Sequence, residues 1–226
     1  GRSPQYRASL CDELVTVRLT IGDMLPDGPL PIHAEAEQTM GMPAMQPTRW
    51  TAADVLAMPE QPGHTVEVIA GELFVTPAPS FSHQGVVGVL HVALFAYLRS
   101  RSIGVVCLSP ADIVPAPDTL VQPDIFVAPI NDGQRPTSWA EMDRLLLAVE
   151  VLSPSSQRRD RVVKRHLYAR MQCEYWIVDP ESRLVERWLP DDDRPEICES
   201  TLTWQPIGAD MALTIDLVAM FAEALG

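Results

Sequence analysis

The sequences VQPDIFVA at residues 121–128 and LLLAVEVLSP at residues 145–154 each place one carboxylate in an otherwise apolar run. Apolar runs of this length are typical of buried strands. A basic stretch, RRDRVVKRHLY at residues 158–168, follows and contains a single lysine. Because a charge in an apolar strand is unfavourable unless it is paired or binds a metal, we expect Asp124 and Glu150 to converge with this lysine in one polar site.

The length and composition describe one sizeable domain with an extension. The chain has 226 residues with 46% hydrophobic and 21% charged side chains, which is ordinary for a soluble globular protein. No apolar run approaches the roughly 18 residues that a membrane span needs, so we expect no membrane partner. The cysteines stand singly and form no CxxC pair, which disfavours a structural zinc site and fits a reduced cytoplasmic protein: Cys11, Cys107, Cys173 and Cys198.

Charge is distributed unevenly along the chain. The net charge of −13 argues against a general nucleic-acid coat protein. Six of the 17 basic residues nevertheless fall between Arg158 and Arg170, where the only acidic residue is Asp160. A charge run by itself is most often a solvated helix face. Its position directly after the two apolar runs favours a role facing phosphate.

The chain divides into an extension and a domain. Residues 1–47 are rich in Pro, Gly and Met and have no sustained periodicity, so we expect an extension that is partly ordered at most. Residues 48–226 carry alternating patterns of helix and strand, and we expect them to form one domain.

The order of patterns in that domain predicts an α/β fold. A short helix is capped by Thr51, and a strand pair turns at Ala70-Gly71. A long helix is expected from Ser82 to Leu98. Further strands are expected at 105–108, 111–114, 121–128, 145–152, 174–178 and 184–189, a helix at 159–171, and a strand followed by a helix at 213–225. We therefore predict a mixed central β-sheet flanked by helices, with 145–152 near its centre.

Each candidate residue also has an ordinary structural explanation. An aspartate after a proline is usually a turn residue at a strand start, which would explain Asp124. Glu150 has apolar neighbours on both strand faces, so it is either salt-bridged to a buried base or a metal ligand. Asp160 and Lys164 are four residues apart on one helix face, which Tyr168 extends by a turn. That face forms a surface ion pair or packs against the site.

Several sequence blocks in the same order resemble a known family. The blocks are VEVIAGEL at 66–73, PSFSHQ at 79–84, VQPDI at 121–125, VEVLSPSS at 149–156, the helix from 159 to 168, and EYWIVDP at 174–180. From about Thr51 to its last residue, the chain resembles the Uma-type restriction endonuclease family, a branch of the PD-(D/E)XK nuclease superfamily with the restriction-endonuclease-like fold. Residues 1–47 lie outside the resemblance.

The resemblance implies a metal-binding acidic cluster beside the core sheet. Asp124 matches the aspartate of the PD element, and Glu150 matches the second acidic position. Lys164 matches the catalytic lysine, displaced from the strand to the helix. Glu67 matches an acidic residue near the site, and His83 matches a histidine that recurs in the family pattern.

Two positions depart from the family pattern. The plain superfamily spacing puts a lysine two residues after the second acid, where this chain has Leu152. Activity then depends on Lys164 reaching the site from the helix. The residue that is usually acidic or an amide in the family's turn is Ala70, which concerns the turn and not the chemistry.

The chemistry that these residues imply is hydrolysis of a phosphodiester. Mg²⁺, or Mn²⁺ in its place, held by Asp124 and Glu150 would neutralise the phosphate and activate water. Lys164 would orient that water or offset transition-state charge. The DNA backbone would lie on arginines of the basic helix, Arg158, Arg159, Arg161 and Arg165. Accessory roles are assigned to His83, Asp160 and Tyr168, although a histidine at this position is more often a helix cap.

Two functions remain open on the sequence alone. The first is a Mg²⁺-dependent endodeoxyribonuclease acting on DNA, with a homodimer expected because type II-like enzymes commonly cut both strands as dimers. The second is a catalytically inactive member of the fold that binds DNA or a protein, which the acidity and the missing lysine spacing favour. A small-molecule hydrolase is disfavoured because no G-x-S-x-G elbow is present, and a nucleotide-binding protein because no Gly-rich phosphate loop is present.

Overall fold

A computed structural model describes residues 49–138, 142 and 144–226 of the chain. The predicted extension at residues 1–47 lies outside the described residues. The elements follow in the order α1 (Ala52–Leu56), β1 (His64–Ile69), β2 (Glu72–Pro77), α2 (Phe81–Leu98), β3 (Gly104–Leu108), β4 (Ile113–Ala116), β5 (Thr119–Val121), β6 (Ile125–Pro129), β7 (Leu147–Val151), a π-helix (Arg159–Lys164), α3 (Arg165–Arg170), β8 (Glu174–Asp179), β9 (Leu184–Trp188), β10 (Glu196–Cys198), β11 (Thr201–Trp204), β12 (Leu213–Asp216) and α4 (Leu217–Leu225).

The strands of the described part form a mixed six-stranded sheet with two further sheets beside it. The large sheet has the order β10-β9-β8-β7-β6-β3, in which β7 and β8 are parallel and the other pairs are antiparallel. A four-stranded sheet has the order β2-β1-β5-β4, and β11 pairs with β12. The predicted α/β class with flanking helices is confirmed. The smaller sheets, and strands β10 and β11, were missed by the sequence patterns.

The predicted strand at residues 121–128 is divided in two. β5 ends at Val121 and belongs to the four-stranded sheet, whereas β6 begins at Ile125 in the six-stranded sheet. Pro123 lies between them, and a proline has no N–H to donate to a strand ladder. The division places Asp124 in the connection between two sheets, immediately before β6.

The six-stranded sheet separates two hydrophobic clusters. Alternate residues of a strand point to opposite faces, so Val149 packs with α2 and α4 on one face while Ala148 packs with Leu167 and Tyr168 of α3 on the other. Every residue of β7 is buried, which confirms its predicted central position. Glu150 has the same strand parity as Ala148, so its side chain points to the face that carries α3.

The long helix α2 differs from its prediction in two ways. It is capped by Ser80, whose Oγ accepts a hydrogen bond from His83 N at 3.3 Å, so the predicted cap Ser82 lies inside the helix. By length and composition alone α2 could cross a membrane, contrary to the sequence expectation, and 39% of it is buried within the domain. Core helices of globular domains meet the same criteria. Its buried residues include Leu90 and Leu94, which belong to the core.

A tight hairpin fixes the register of β1 against β2. Ala70 and Gly71 form its two-residue loop with φ of 51° and 80°, so both adopt the left-handed conformation typical of hairpin turns. The resulting register places Glu67 opposite Phe74. The turn therefore tolerates Ala70 and sets which face of β1 carries Glu67.

Candidate active site

Four separate elements bring the predicted catalytic residues to one cleft. Glu67 comes from β1, Asp124 from the connection before β6, Glu150 from β7 and Lys164 from the end of the π-helix. All four line the same cleft, which has a volume of about 1140 Å³. The cleft lies where the four-stranded and six-stranded sheets approach each other, so no single stretch of sequence contains it.

Lys164 forms ion pairs with two carboxylates that line this cleft. Its Nζ lies 2.7 Å from Glu150 Oε1 and 2.8 Å from Glu67 Oε1. The three side chains are almost completely buried, with exposed fractions of 1% for Lys164, 6% for Glu150 and 2% for Glu67. Of the two explanations for Glu150, the structure shows the salt bridge to a buried base. Metal binding by Glu150 stays a prediction.

Hydrogen bonds hold these carboxylates in place. The backbone N–H of Gln122 donates to Glu67 Oε1 at 2.8 Å. The hydroxyl of Tyr168 donates to Glu150 Oε1 at 3.2 Å. Asp160 and Tyr168 are both buried, so the helix face that they share with Lys164 packs against the site and is not a surface ion pair.

The carboxylate of Asp124 is hydrogen-bonded to strand β7 and to helix α2. Its Oδ2 accepts a hydrogen bond from Val151 N at 2.8 Å and lies 3.1 Å from His83 Nε2. Its side chain keeps 22% exposure and lines the cleft. The ordinary explanation of a turn aspartate is therefore incomplete, because the carboxylate bonds to residues that are distant in sequence.

The helix that carries Lys164 is not the continuous α-helix that its periodicity predicts. Residues Arg159–Lys164 form a π-helix, and α3 continues from Arg165 to Arg170. The N–H of Arg165 bonds to the carbonyl of Asp160, five residues earlier. Hydrogen bonds between residues five apart define this rare helix, which occurs often at functional sites.

The buried charges strongly influence one another. Burial raises the pKa of Glu150 well above its ordinary value, Lys164 opposes that effect, and Asp160, Asp124 and Glu67 add to it. Burial opposes the charge on Lys164, but the carboxylates of Glu150, Glu67 and Asp160 outweigh it and raise the pKa of Lys164. Burial also raises the pKa of Asp160 in spite of Lys164. Lys164 is thus an ammonium, and burial favours the protonated form of Glu150.

Carboxylates outnumber the cations in this cluster, which favours an added cation. Within residues 49–138, 142 and 144–226, no group of three or more His, Cys, Asp and Glu side chains is arranged to hold a metal ion. Mg²⁺ usually takes one or two protein carboxylates and completes its shell with water and substrate phosphate. Binding of such an ion by Asp124 and Glu150 stays a prediction.

The four arginines predicted to bind DNA have different environments. Arg159 lines the cleft, where its Nη1 donates to Thr76 Oγ1 at 2.6 Å and lies 3.7 Å from Glu67 Oε2. Its side chain is only 12% exposed. The structure therefore brings Arg159 together with the carboxylates and not with an outer arginine surface.

The remaining three arginines lie outside the residues that line the cleft. Arg161 is paired with Glu186 at 2.6 Å and with Asp179 at 3.2 Å. Arg165 donates to the carbonyl of Asp192 at 2.6 Å, and its guanidinium lies over the ring of Trp188. Arg158 is exposed, which makes it the freest of the set to meet a phosphate.

Sequence reasoning missed several residues that shape the site. Gln122 and Val151 contribute through backbone N–H groups, which any residue type offers, so no sequence signal could have found them. The bond between His83 and Asp124 joins residues 41 positions apart. The PSFSHQ block singled out the histidine, but nothing in the sequence indicated that Asp124 is its partner. The position of Arg159 follows from the π-helix, which helical periodicity does not reveal.

The comparisons with known proteins agree with this fold. The solved structure of a putative nuclease belonging to DUF820 from Anabaena variabilis resembles it with a TM-score of 0.62 and 18% sequence identity, covering 78% of this chain and 99% of that chain. At that identity the likeness establishes the fold alone. No curated protein sequence matches the chain.

The family comparison covers most of the described domain. The sequence profile named Uma2, described as putative restriction endonuclease, matches residues 52–216. The matched range includes Glu67, Asp124, Glu150 and Lys164. This match supports a nuclease function in general terms and agrees with the resemblance seen in the sequence blocks. The chain belongs to the Uma2 family of putative restriction endonucleases.

Proposed function

We propose that the protein is a Mg²⁺-dependent endodeoxyribonuclease that hydrolyses phosphodiester bonds, with Mn²⁺ able to replace Mg²⁺. The observation that carries this proposal is the convergence of Lys164 with three carboxylates in one cleft. Lys164 Nζ lies within 2.8 Å of both Glu67 and Glu150. The description of the family as restriction endonucleases supports DNA as the substrate.

Asp124 and Glu150 are the residues that would hold the ion. Each has a carboxylate that lines the cleft, and each is hydrogen-bonded by neighbouring groups that fix its direction. A bound Mg²⁺ would neutralise the phosphate charge and lower the pKa of a water bound to it. The excess of carboxylates in the cluster makes this the most favourable place in the cleft for a cation.

Lys164 contributes a fixed positive charge. It is an ammonium whose position is set by Glu150 and Glu67 on either side. A preorganised ammonium beside the scissile phosphate offsets negative charge that develops in the transition state, and it needs no reorganisation at that moment. Arg159, which lines the same cleft, adds a second positive charge from the same helix.

Affinity for DNA would come mainly from a few phosphate contacts. The chain as a whole is strongly acidic, so long-range attraction to DNA is weak. The exposed Arg158, with Arg161 and Arg165 where their partners within the chain release them, supplies contacts that carry no sequence information. Two copies of the chain would cut the two strands, and we propose a homodimer on that ground.

Plasmid nicking tests the proposal. Wild-type protein and Asp124→Asn are each incubated with supercoiled plasmid and Mg²⁺ or Mn²⁺. Cleavage is expected with the wild type and not with Asp124→Asn. Glu60→Gln is the matched control, because Glu60 is an exposed acid that lines the same cleft outside the cluster. Equal cleavage by wild type and Asp124→Asn would show that the nuclease activity does not come from this site.

The inactive module is the competing function, and one observation favours it. Lys164 is ion-paired with two carboxylates. Three of the four arginines predicted to bind DNA are already bonded within the chain. A wild-type protein that binds DNA but cuts no plasmid with either metal would establish this alternative.

A further inference from the structure

His83 makes a contact that its position in the sequence does not explain. It lies in the first turn of α2 with a side chain that is only 9% exposed. Its Nε2 is 3.1 Å from Asp124 Oδ2, the same oxygen that accepts the N–H of Val151 at 2.8 Å. Two donors therefore occupy one oxygen of a carboxylate that the proposed function treats as a metal ligand.

Helix capping does not account for this histidine. Ser80 caps α2 through its Oγ, and His83 takes part in that cap with its backbone N–H and not with its ring. The ring instead reaches the carboxylate before β6. A buried imidazole facing a carboxylate is a specific polar contact, because an apolar side chain would fill the same space without needing a partner.

The hydrogen-bond pattern indicates the tautomer of His83. Oδ2 of Asp124 is an acceptor, so the ring meets it through a protonated Nε2. Among the described residues, the buried Nδ1 has no hydrogen-bond partner. A buried N–H without an acceptor is rarer and less favourable than a bare acceptor. The contacts therefore indicate that the ring donates from Nε2 to Asp124.

This arrangement leaves the two oxygens of Asp124 with different roles. Oδ2 is occupied by His83 and Val151, whereas no donor among the described residues bonds to Oδ1. Asp124 is 22% exposed and lines the cleft. A carboxylate that is held by one oxygen presents the other in a fixed direction, and such supporting hydrogen bonds orient metal-binding side chains.

We propose that His83 is a positioning residue that holds Asp124 with Oδ1 turned towards the divalent ion. The inference rests on the proposed function, since it concerns the same ion. His83 does not touch the ion or the phosphate in this role. It acts through Asp124, so its loss should weaken metal binding before it affects the binding of DNA.

The test measures metal affinity by thermal stabilisation with increasing Mn²⁺. His83→Ala is expected to need about 10–100-fold more Mn²⁺ than wild type for the same stabilisation. His83→Gln is expected to recover part of this loss, because its amide N–H₂ can replace Nε2 as the donor. His64→Ala is the matched control and should behave as wild type, since His64 is an exposed histidine that lines the same cleft.

Two further readouts do not depend on the stability of His83→Ala, and the first of them needs no metal. Nitrogen-edited NMR of the metal-free wild type is expected to show a proton on Nε2 of His83. In plasmid nicking, His83→Gln is expected to raise the Mn²⁺ concentration for half-maximal rate while the KM for DNA stays unchanged.

The outcomes separate this inference from the proposed function. Wild-type-like Mn²⁺ affinity in a folded His83→Ala would overturn the role of His83 and leave the nuclease proposal intact. A wild type that neither binds Mn²⁺ nor cuts DNA would overturn both. If His83→Ala does not fold, His83→Gln and the NMR spectrum decide, and a proton on Nδ1 alone would overturn the inference.

Discussion

The basic helical segment has two sides, and they behave in opposite ways. On the inner side, Asp160, Lys164 and Tyr168 are buried, and Lys164 and Tyr168 both bond to Glu150. On the outer side, Arg158 is exposed, and Arg161 is a third exposed and paired with two largely buried acids, Glu186 and Asp179. The same run of charge in the sequence therefore contains residues of the site and residues of the solvated surface.

The energetic difference between the two sides is large. Removing one partner of a buried ion pair typically destabilises a protein by about 3–5 kcal/mol, because the other charge stays buried without compensation. An exposed pair contributes about 0–1 kcal/mol. Mutations on the inner side should therefore change both chemistry and stability, whereas a mutation of the exposed Arg158 should leave the fold almost unchanged.

Lys164→Ala should have the largest effect. We expect DNA cleavage to fall by at least about 10²-fold, because a preorganised positive charge beside the phosphate is lost. The free energy of unfolding should fall by about 3–5 kcal/mol, because Glu67 and Glu150 lose their buried partner. Stabilisation by Mn²⁺ should persist, since Lys164 is not an ion ligand. Plasmid nicking and urea unfolding with and without Mn²⁺ measure the three effects.

Arg158→Ala is the control for Lys164→Ala, and it should change the free energy of unfolding by less than about 0.5 kcal/mol. Wild-type rates of cleavage in a folded Lys164→Ala would show that the lysine on the helix does not replace the one missing after Glu150. The comparison between the inner and outer sides would then concern stability alone.

Mg²⁺ should stabilise the wild type more than it stabilises Glu150→Gln. At a Mg²⁺ concentration 100 times the Kd, the expected gain in the free energy of unfolding is about 2.7 kcal/mol. The glutamine keeps the size of the side chain but loses the charge that attracts the ion. Thermal unfolding with increasing Mg²⁺ gives the two gains, and equal gains would remove Glu150 from the metal site.

The pKa of Glu150 predicts a dependence of stability on pH in the metal-free protein. Because burial raises that pKa above its ordinary value of 4.5, the folded protein keeps a proton that the unfolded chain has already lost. This contribution to stability is complete below pH 4.5 and disappears as the pH rises through the folded pKa. Relative to Glu150→Gln, the wild type should lose up to about 1.4 kcal/mol per pH unit in this range.

Urea unfolding of the wild type and Glu150→Gln from pH 4 upward measures this difference in stability. Saturating Mg²⁺ should make the difference depend less on pH, because the ion favours the ionised carboxylate of Glu150. The charged groups that face Glu150 are Lys164, Asp160, Asp124 and Glu67, and they are the same in both proteins. A stability difference that does not vary with pH would mean that folding does not raise the pKa of Glu150.

The outer arginines should give the smallest effect. Replacing Arg158, Arg161 and Arg165 together by Gln should weaken DNA binding equally for all sequences. The slope of log K against log salt should fall by up to about 0.9 for each phosphate that the variant no longer binds. Fluorescence anisotropy at several salt concentrations measures this slope. The starting protein is Asp124→Asn, which is expected not to cleave the DNA. An unchanged slope would place the DNA on another surface.

The sequence alone determined the parts of the site that depend on residue type. A carboxylate in the apolar run of β7 was visible because burying such a charge requires a partner. The motif order indicated the family, and the family match confirms it. The convergence of Glu67, Asp124, Glu150 and Lys164 is seen in the structure, although their catalytic roles stay predictions.

The tertiary structure decided which partner each charged group has. The π-helix is one reason, because its hydrogen bonds join residues five apart and so bring Arg159 to the same side as Lys164. In an α-helix, with about 100° of rotation per residue, these two positions would point in clearly different directions. The sequence analysis grouped Arg159 with the other arginines of the helix, whereas the structure places it in the cleft near Glu67.

The second reason is that backbone groups and distant side chains leave no pattern in the sequence. The N–H of Val151 in β7 and the ring of His83 in α2 both bond to the carboxylate of Asp124. Pro123 separates two strands that the sequence pattern predicted as one. Sequence patterns record local periodicity and the burial that each residue type tolerates. The pairing of charges across two sheets depends on how those sheets meet, which is a property of the packed domain.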